Sequence, residues 1–246
     1  MVDILYQLYC SRNFPPLAET CKMLAAAGYT QVEGFGGLFD DLDTLKAALD
    51  GAGLAMTSSH INLAMVRDDP AQAIKIAQTL GIKTAFAPFV MPDDRPTDDA
   101  GWRKFGQDLV AMGKPLTDAG IAFGWHNHDF ELAPLPSGAR PLDLMAESGL
   151  TLELDLGWVA RAGENPAAWV TKYASQIAAV HVKDIAPVGD CTDEDGWADV
   201  GHGTQNWAEI HAACAAANVT RYVVEHDNPN DHARFAQRSI AAIKQF

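Results

Sequence analysis

LTLELDLGW (150–158), IAAVHVKDI (177–185) and TRYVVEHD (220–227) each bury a run of leucine, β-branched or aromatic residues and then reach a charged or ligating side chain. A fourth run of the same kind, GIAFGWHNHDFEL (120–132), precedes them. Helix-compatible stretches near 140–148, 166–176 and 206–217 separate the four, so consecutive strands are parallel and joined by helical crossovers. Glu131, Asp155, His181 and Glu225 stand at the ends of these runs. A barrel of parallel strands gathers such ends on one rim, where three carboxylates repel one another unless a cation sits among them. The four residues therefore read as one metal site.

The first half of the chain continues the pattern. DILYQLY (3–9), TQVEGF (30–35), LAMTSSHINL (54–63) and IKTAFAPFV (82–90) read as strands, with Pro88 expected at the end of the last. Helices are expected from Pro15 to Ala27 with Gly28 as stop, over DDLDTLKAALDGAG (40–53), from Asp69 to Leu80 with Gly81 as stop, over 97–119, and finally over 231–246. Eight β/α units in 246 residues match a TIM barrel. A doubly wound sheet needs fewer strands and a nucleotide crevice, and the chain has no GxGxxG or P-loop. No linker or low-complexity tract divides the sequence; APLPSGARP (133–141) is short enough for a loop, so residues 1–246 are expected to form a single domain.

Charge narrows the partners. With 18 Lys and Arg against 32 Asp and Glu the formal net charge is −14, which disfavours nucleic acid and anionic membrane surfaces and leaves a small molecule as the expected partner. Cys10, Cys21, Cys191 and Cys214 show no CxxC spacing, so reduced thiols in a cytoplasmic protein are expected. No run reaches transmembrane length, and MVDILYQLYC lacks the basic start of an export signal.

The C-terminal ends of barrel strands carry chemistry, and here they are polar: Gln7, Glu33, His60, His126, His128, Glu131, Asp155, His181 with Lys183, and Glu225 with His226. Alternation puts Ala179, His181 and Lys183 on one face, and likewise Val223, Glu225 and Asp227. Glu131 does not share parity with His126 and His128, so a bulge or a strand end near Asp129 is required if all three face the site.

The chain resembles the xylose isomerase-like TIM barrels across nearly its whole length. The marks are HNHDFE (126–131), LELDLGW (152–158), HVKD (181–184), DVGHG (199–203) with Trp207 downstream, and VVEHD (223–227), in this order. Relatives include sugar isomerases and epimerases, dehydratases, enzymes acting on keto-glycosides, and endonuclease IV. The resemblance implies one divalent ion on Glu131, Asp155, His181 and Glu225. Three oxygens and one imidazole suit Mn²⁺, Mg²⁺ or Co²⁺, with Zn²⁺ also compatible. It further implies His128 as acid/base, with Glu131 and Glu225 as the other proton-transfer candidates.

Lys183, His60, His126, Glu33, Trp158 and His202 are the expected substrate contacts, with Trp125, Phe89 and Arg161 as weaker ones. The polar segment 187–206 is long enough to cover the site. A phosphate-binding cluster is missing from the motifs, so an unphosphorylated sugar, keto-sugar or cyclitol is expected. The leading expectation is a metal-dependent isomerase or epimerase, in a chain able to pair as a homo-oligomer. A lyase, dehydratase or deglycosidase working from the same first step is the alternative; DNA repair and non-catalytic sugar binding rank below both.

Overall fold

The computed structural model describes residues 2–246. Its strands are β1 (Asp3–Gln7), β2 (Gln31–Gly34), β3 (Ala55–His60), β4 (Thr84–Ala87), β5 (Ala122–His126), β6 (Thr151–Asp155), β7 (Ile177–Val182), β8 (Asp184–Ile185), β9 (Trp197–Ala198) and β10 (Arg221–Val224). The two short strands β8 and β9 form a separate antiparallel ribbon, and the other eight close into a parallel barrel in which β10 pairs with β1. Each of the eight expected strands is present, most of them trimmed by a few residues at one or both ends.

The helices are α1 (Leu17–Ala27), α2 (Leu42–Ala52), α3 (Leu63–Asp68), α4 (Pro70–Leu80), α5 (Asp99–Asp118), α6 (Pro141–Ala146), α7 (Leu156–Arg161), α8 (Pro166–Lys172), α9 (Trp207–Ala216) and α10 (His232–Ile243). Local chemistry starts and stops them. Asp41, Asp69, Asp98 and Asp231 accept from the first free N–H groups of α2, α4, α5 and α10, and Gly53 and Gly81 end α2 and α4 in left-handed conformations. Two helices, α3 and α7, lie where the sequence suggested strand or turn. For α7 the cause is Asp155, whose Oδ1 accepts from the Trp158 amide at 2.8 Å and turns LGW from strand tail into helix.

The larger apolar core lies between strands and helices, while the barrel interior carries a small plug of Leu5, Phe86, Ala179 and Val223. Two-residue alternation then lifts the next inward positions, Gln7, His181 and Glu225, into a polar layer above that plug. Gly124 faces the same interior; a Cβ there would collide with the Thr151 carbonyl and press on the Phe86 ring at 3.1 Å. One register shift matters for the site. Leu152 pairs with Ile177 but Glu153 pairs with Ala179, so Ala178 is an extra residue that sets His181 directly opposite Asp155.

Candidate metal centre and pocket

Two groups of buried side chains, each able to hold a metal ion, fill the polar layer: His60, His126, Glu153 and His181 below, and His126, Asp155, His181 and Glu225 above. In the lower group Glu153 Oε2 hydrogen-bonds His60 Nε2 at 2.7 Å and makes ion-pair contacts of 3.1 Å to His181 Nε2 and 3.2 Å to His126 Nδ1, neither of them a hydrogen bond. Glu33 Oε1 reaches His181 Nε2 at 2.8 Å and is itself held by Gln7 Nε2, while Ser58 Oγ donates to Oε2. Burial opposes ionisation of Glu153, but His181, His126 and His60 outweigh it and hold the carboxyl well below its usual range. Burial and the neighbouring Glu153 raise Glu33 instead.

In the upper group the opposite ring nitrogens are used. His181 Nδ1 is 2.8 Å from Glu225 Oε2 and 3.8 Å from Asp155 Oδ2, and His126 Nε2 is 3.9 Å from that same Asp155 oxygen. Asp155 Oδ2 is buried and has no hydrogen-bond partner, since the cap to Trp158 occupies Oδ1. An orphaned carboxylate oxygen in a dry interior is costly and calls for a cation. The ligand atoms all lie within 4.8 Å of one another, so one ion at the usual ligand distances of about 2.0–2.2 Å fits the set. Burial pushes Asp155 up to about 7, against the pull of Lys183 and with a further push from Glu225. For His181 desolvation is overcome by Glu153 and Glu225, which raise the imidazole well above its normal value. His126 goes the other way, down to about 3, through burial and the nearby His181.

Lys183 completes the electrostatics. Its buried ammonium lies 2.7 Å from Asp227 Oδ1, 3.3 Å from Glu225 Oε2 and 3.6 Å from Asp155 Oδ2, over the rings of Trp158 and Trp197. Desolvation would discharge it, but Asp227, Glu225 and Asp155 raise it well above the ordinary lysine value.

The structure does not bring Glu131 to Asp155, His181 and Glu225. Strand β5 ends at His126, and the turn after it carries Glu131 away, where its carboxylate accepts from Trp125 Nε1 at 2.8 Å and from the His128 amide at 2.9 Å. Trp125 has the opposite parity to His126 and packs on Phe105 of α5, so its indole draws Glu131 to the outer side of the strand. His126 holds the β5 position in the upper group instead. Burial pushes Glu131 up to about 8.

A pocket of about 450 Å³ opens above this group, lined by His60, His126, Glu225, Asp227, His128 and Trp158, with Tyr9, Phe35 and Phe89 among the aromatic residues near its mouth. His128 stacks against Phe130 and lies tilted against Trp158, its Nδ1 is buried without a partner, and burial with His126 and Lys183 nearby keeps the ring well below the usual histidine range. Glu33 and Lys183 lie beneath the pocket rather than on its lining, and His202 is exposed outside it. The segment 187–206 contributes no lining residue. It is pinned instead: Asp184 accepts from the amides of Ile185, Gly201, Gly203 and Gln205 and from Trp207 Nε1, and Arg234 ties Glu194 and Asp199 to α10. Trp197 from this segment supports Lys183 from behind, and Arg161 lies over the Trp197 ring.

Glu153 escaped the sequence reading although its signal was present, two residues before Asp155 on the same inward face. Asp227, Tyr9 and Asn62 on the lining also escaped it as site residues. No helix among the described residues is long and apolar enough to cross a membrane.

Residues 21–246 match the family described as xylose isomerase-like TIM barrel, and the chain belongs to it. Among solved structures, a sugar phosphate isomerase/epimerase from Parabacteroides distasonis superposes with a TM-score of 0.80 at 21% identity, over 99% of this chain and 94% of that one. The IOLI protein, solved with a binding zinc atom, gives 0.73 at 15% identity over 100% and 96%. In sequence, the inosose dehydratase of Clostridium beijerinckii is 33% identical over 91 residues, a stretch covering 34% of this chain and only 28% of that enzyme. The proteins this chain is similar to thus include ones named as an isomerase/epimerase and a dehydratase, and the chain carries a buried His/Asp/Glu cluster able to bind a metal.

Proposed function

We propose that the chain is a divalent-metal-dependent isomerase or epimerase that moves a proton beside the carbonyl of an unphosphorylated keto-sugar or keto-cyclitol. The observation that carries this reading is Asp155 Oδ2, buried and without a partner beside His126, His181 and Glu225, of which His126 and Glu225 line a pocket of sugar size. Two imidazoles and two carboxylates replace the three oxygens and one nitrogen expected from sequence, which favours Mn²⁺, Co²⁺ or Zn²⁺ over Mg²⁺. Bound there, the ion supplies polarisation of a carbonyl and acidifies the neighbouring C–H.

The protein's own groups supply the rest. His128 is held neutral on the lining and can accept a proton through a free ring nitrogen. Glu225 and Asp227 also line the pocket and offer carboxylates for the return of a proton. Lys183, fixed in its charged form by Asp227, Glu225 and Asp155, offsets negative charge that develops on the substrate. Tyr9, Phe35, Phe89 and Trp158 provide apolar surface for a sugar ring. The lining includes no Lys or Arg and two carboxylates, so a phosphorylated substrate is disfavoured.

The test is to strip the protein with a chelator, restore Mn²⁺, Co²⁺ or Zn²⁺, and incubate it with a keto-sugar and keto-cyclitol panel in D₂O. Metal-dependent deuterium uptake at the carbon beside the carbonyl is the expected result; no uptake from any substrate with any ion overturns the reading. The likeness to inosose dehydratase supports a second one, in which the same proton removal expels water from the adjacent carbon. Loss of water in place of simple exchange distinguishes it.

A further inference from the structure

The barrel gives the pocket two unlike walls. His126, Asp155, His181 and Glu225 stand on or just beyond β5, β6, β7 and β10, four neighbouring strands of the ring, while β1 to β4 close the other half. That other wall supplies Tyr9, Phe35, Gly36, Asn62 and Phe89 to the lining and, apart from His60, no group that ionises near neutral pH. Asn62 follows β3, which lies four strands from β7 on the ring of eight and so directly across from the strand that carries His181. Its surroundings are unusual for an asparagine. It occupies the N-cap position of α3, where Asn is among the best capping residues, yet its side chain makes no cap bond and lies on the pocket lining instead. His60, Glu225 and Asp227 on the same lining are engaged by Glu153, His181 and Lys183, whereas no hydrogen bond ties the Asn62 amide among the described residues. Packing holds it there: a Cβ on Gly36 would stand 3.0 Å from Asn62 Nδ2, 3.1 Å from Oδ1 and 3.2 Å from Cγ, so the amide lies flat on a bare glycine α-carbon.

We propose that Asn62 is a specificity-determining residue that binds a hydroxyl on the side of the substrate ring opposite the carbonyl. The proposal rests on the function proposed above and deepens it by fixing which way round the ring lies. A substrate whose carbonyl is turned to the His126, Asp155, His181 and Glu225 wall presents its far side to the wall that follows β3. An amide suits that far side, because it offers both a donor and an acceptor and serves a hydroxyl in either sense, without the charge that the other wall already carries. Since the Asn62 amide gives up neither a helix cap nor a side-chain partner when it takes the hydroxyl, the new bond replaces only contacts with water. The glycine beneath it fixes its plane before the substrate arrives, which reduces the ordering cost of binding.

The experiment uses the full chain with Mn²⁺, Co²⁺ or Zn²⁺ and two probes: scyllo-inosose, a keto-cyclitol, and its analogue deoxygenated at the ring carbon opposite the carbonyl. Deuterium exchange gives kcat and KM, and isothermal titration gives the affinity of each probe. For the wild type, removing that hydroxyl is expected to raise KM about fivefold. Asn62→Ala is expected to raise KM for the inosose by the same factor with kcat little changed, to treat the two probes alike, and to keep the melting temperature of the wild type, since no cap bond is lost. An unchanged KM in Asn62→Ala overturns the proposal. So does a variant that weakens both probes equally, or one whose melting temperature falls while it still tells the probes apart, because either marks Asn62 as structural. If the variant does not fold, the wild type decides alone by whether it distinguishes the two probes. A wild type that exchanges another keto-sugar but neither binds nor exchanges the inosose overturns this inference and leaves the proposed function standing; exchange with no substrate and no ion overturns both.

Discussion

Asp155 and His181 face each other in register across β6 and β7, with Oδ2 and Nδ1 3.8 Å apart, and they do so only because Ala178 is bulged out of the pairing. Without that extra residue Val180 would stand opposite Asp155 and the imidazole would turn to the outside of the barrel, since neighbouring side chains on a strand alternate faces. The bulge and the helix cap together leave Asp155 with one oxygen committed to the Trp158 amide and one free for the centre.

Asp155→Asn separates those two roles. The amide oxygen still accepts from Trp158, so the melting temperature changes little, whereas loss of the charge lowers Zn²⁺ or Mn²⁺ affinity by about 100-fold or more. Isothermal titration and thermal unfolding check the two halves.

Acidification should weaken metal binding. In the ion-free protein Asp155 is raised to about 7, so below that pH an incoming ion must displace its proton, and apparent affinity falls by about tenfold per pH unit from this group alone. The sign for ion-free stability follows from the same shift. A carboxyl raised in the folded state contributes stability that is complete below its unfolded value near 3.8 and is lost as pH rises to about 7. The gap in melting temperature between ion-loaded and stripped protein therefore widens from pH 5 to pH 8.

Lys183→Met leaves Asp227, Glu225 and Asp155 facing one another without their buried cation. Breaking such a set from one side costs about 3–5 kcal/mol. A bound divalent ion restores part of the lost stability, which denaturant titrations with and without Zn²⁺ will read.

Asp184→Asn loosens the segment that backs Lys183. The carboxylate accepts from four amides and the Trp207 indole, more than one amide oxygen can serve, and the stranded N–H groups cost about 2–4 kcal/mol in all. Proteolysis at 187–206 should accelerate; unchanged cleavage would show that Arg234 and the β8–β9 ribbon hold the segment without it.

Phe89→Ala tests the pocket mouth. The ring is 38% exposed, so stability should hold within about 0.5 kcal/mol, while loss of a stacking surface worth about 1 kcal/mol raises KM roughly fivefold with kcat little changed.

The barrel was legible because burial patterns and helix stops are local. Runs such as AFGWH and TLELD end in polar residues, and Asp41, Asp69, Gly53 and Gly81 punctuate the helices between them. What misled was extent. LTLELDLGW is apolar to its end, yet its last three residues are helical because a side chain three positions earlier captures an amide.

The site was partly legible for the same reason. Asp155, His181 and Glu225 lie at strand ends whatever the exact boundaries, and alternation turns all three inward. Glu131 and His126 are only five residues apart, and nothing local says where β5 stops; the buried Trp125 indole, held by α5, decides it by claiming the Glu131 carboxylate. Nor does any linear pattern show that Glu153 meets three rings from β3, β5 and β7.

By itself the amino-acid sequence determined eight β/α units, an acidic barrel and a polar rim, since these follow from periodicity and charge that each segment carries alone. Which imidazole joins Asp155, which nitrogen it turns, and where the long segment before α9 is pinned were decided only by the closed barrel. Those outcomes depend on strand register and on competition among distant buried groups for the same few hydrogen bonds.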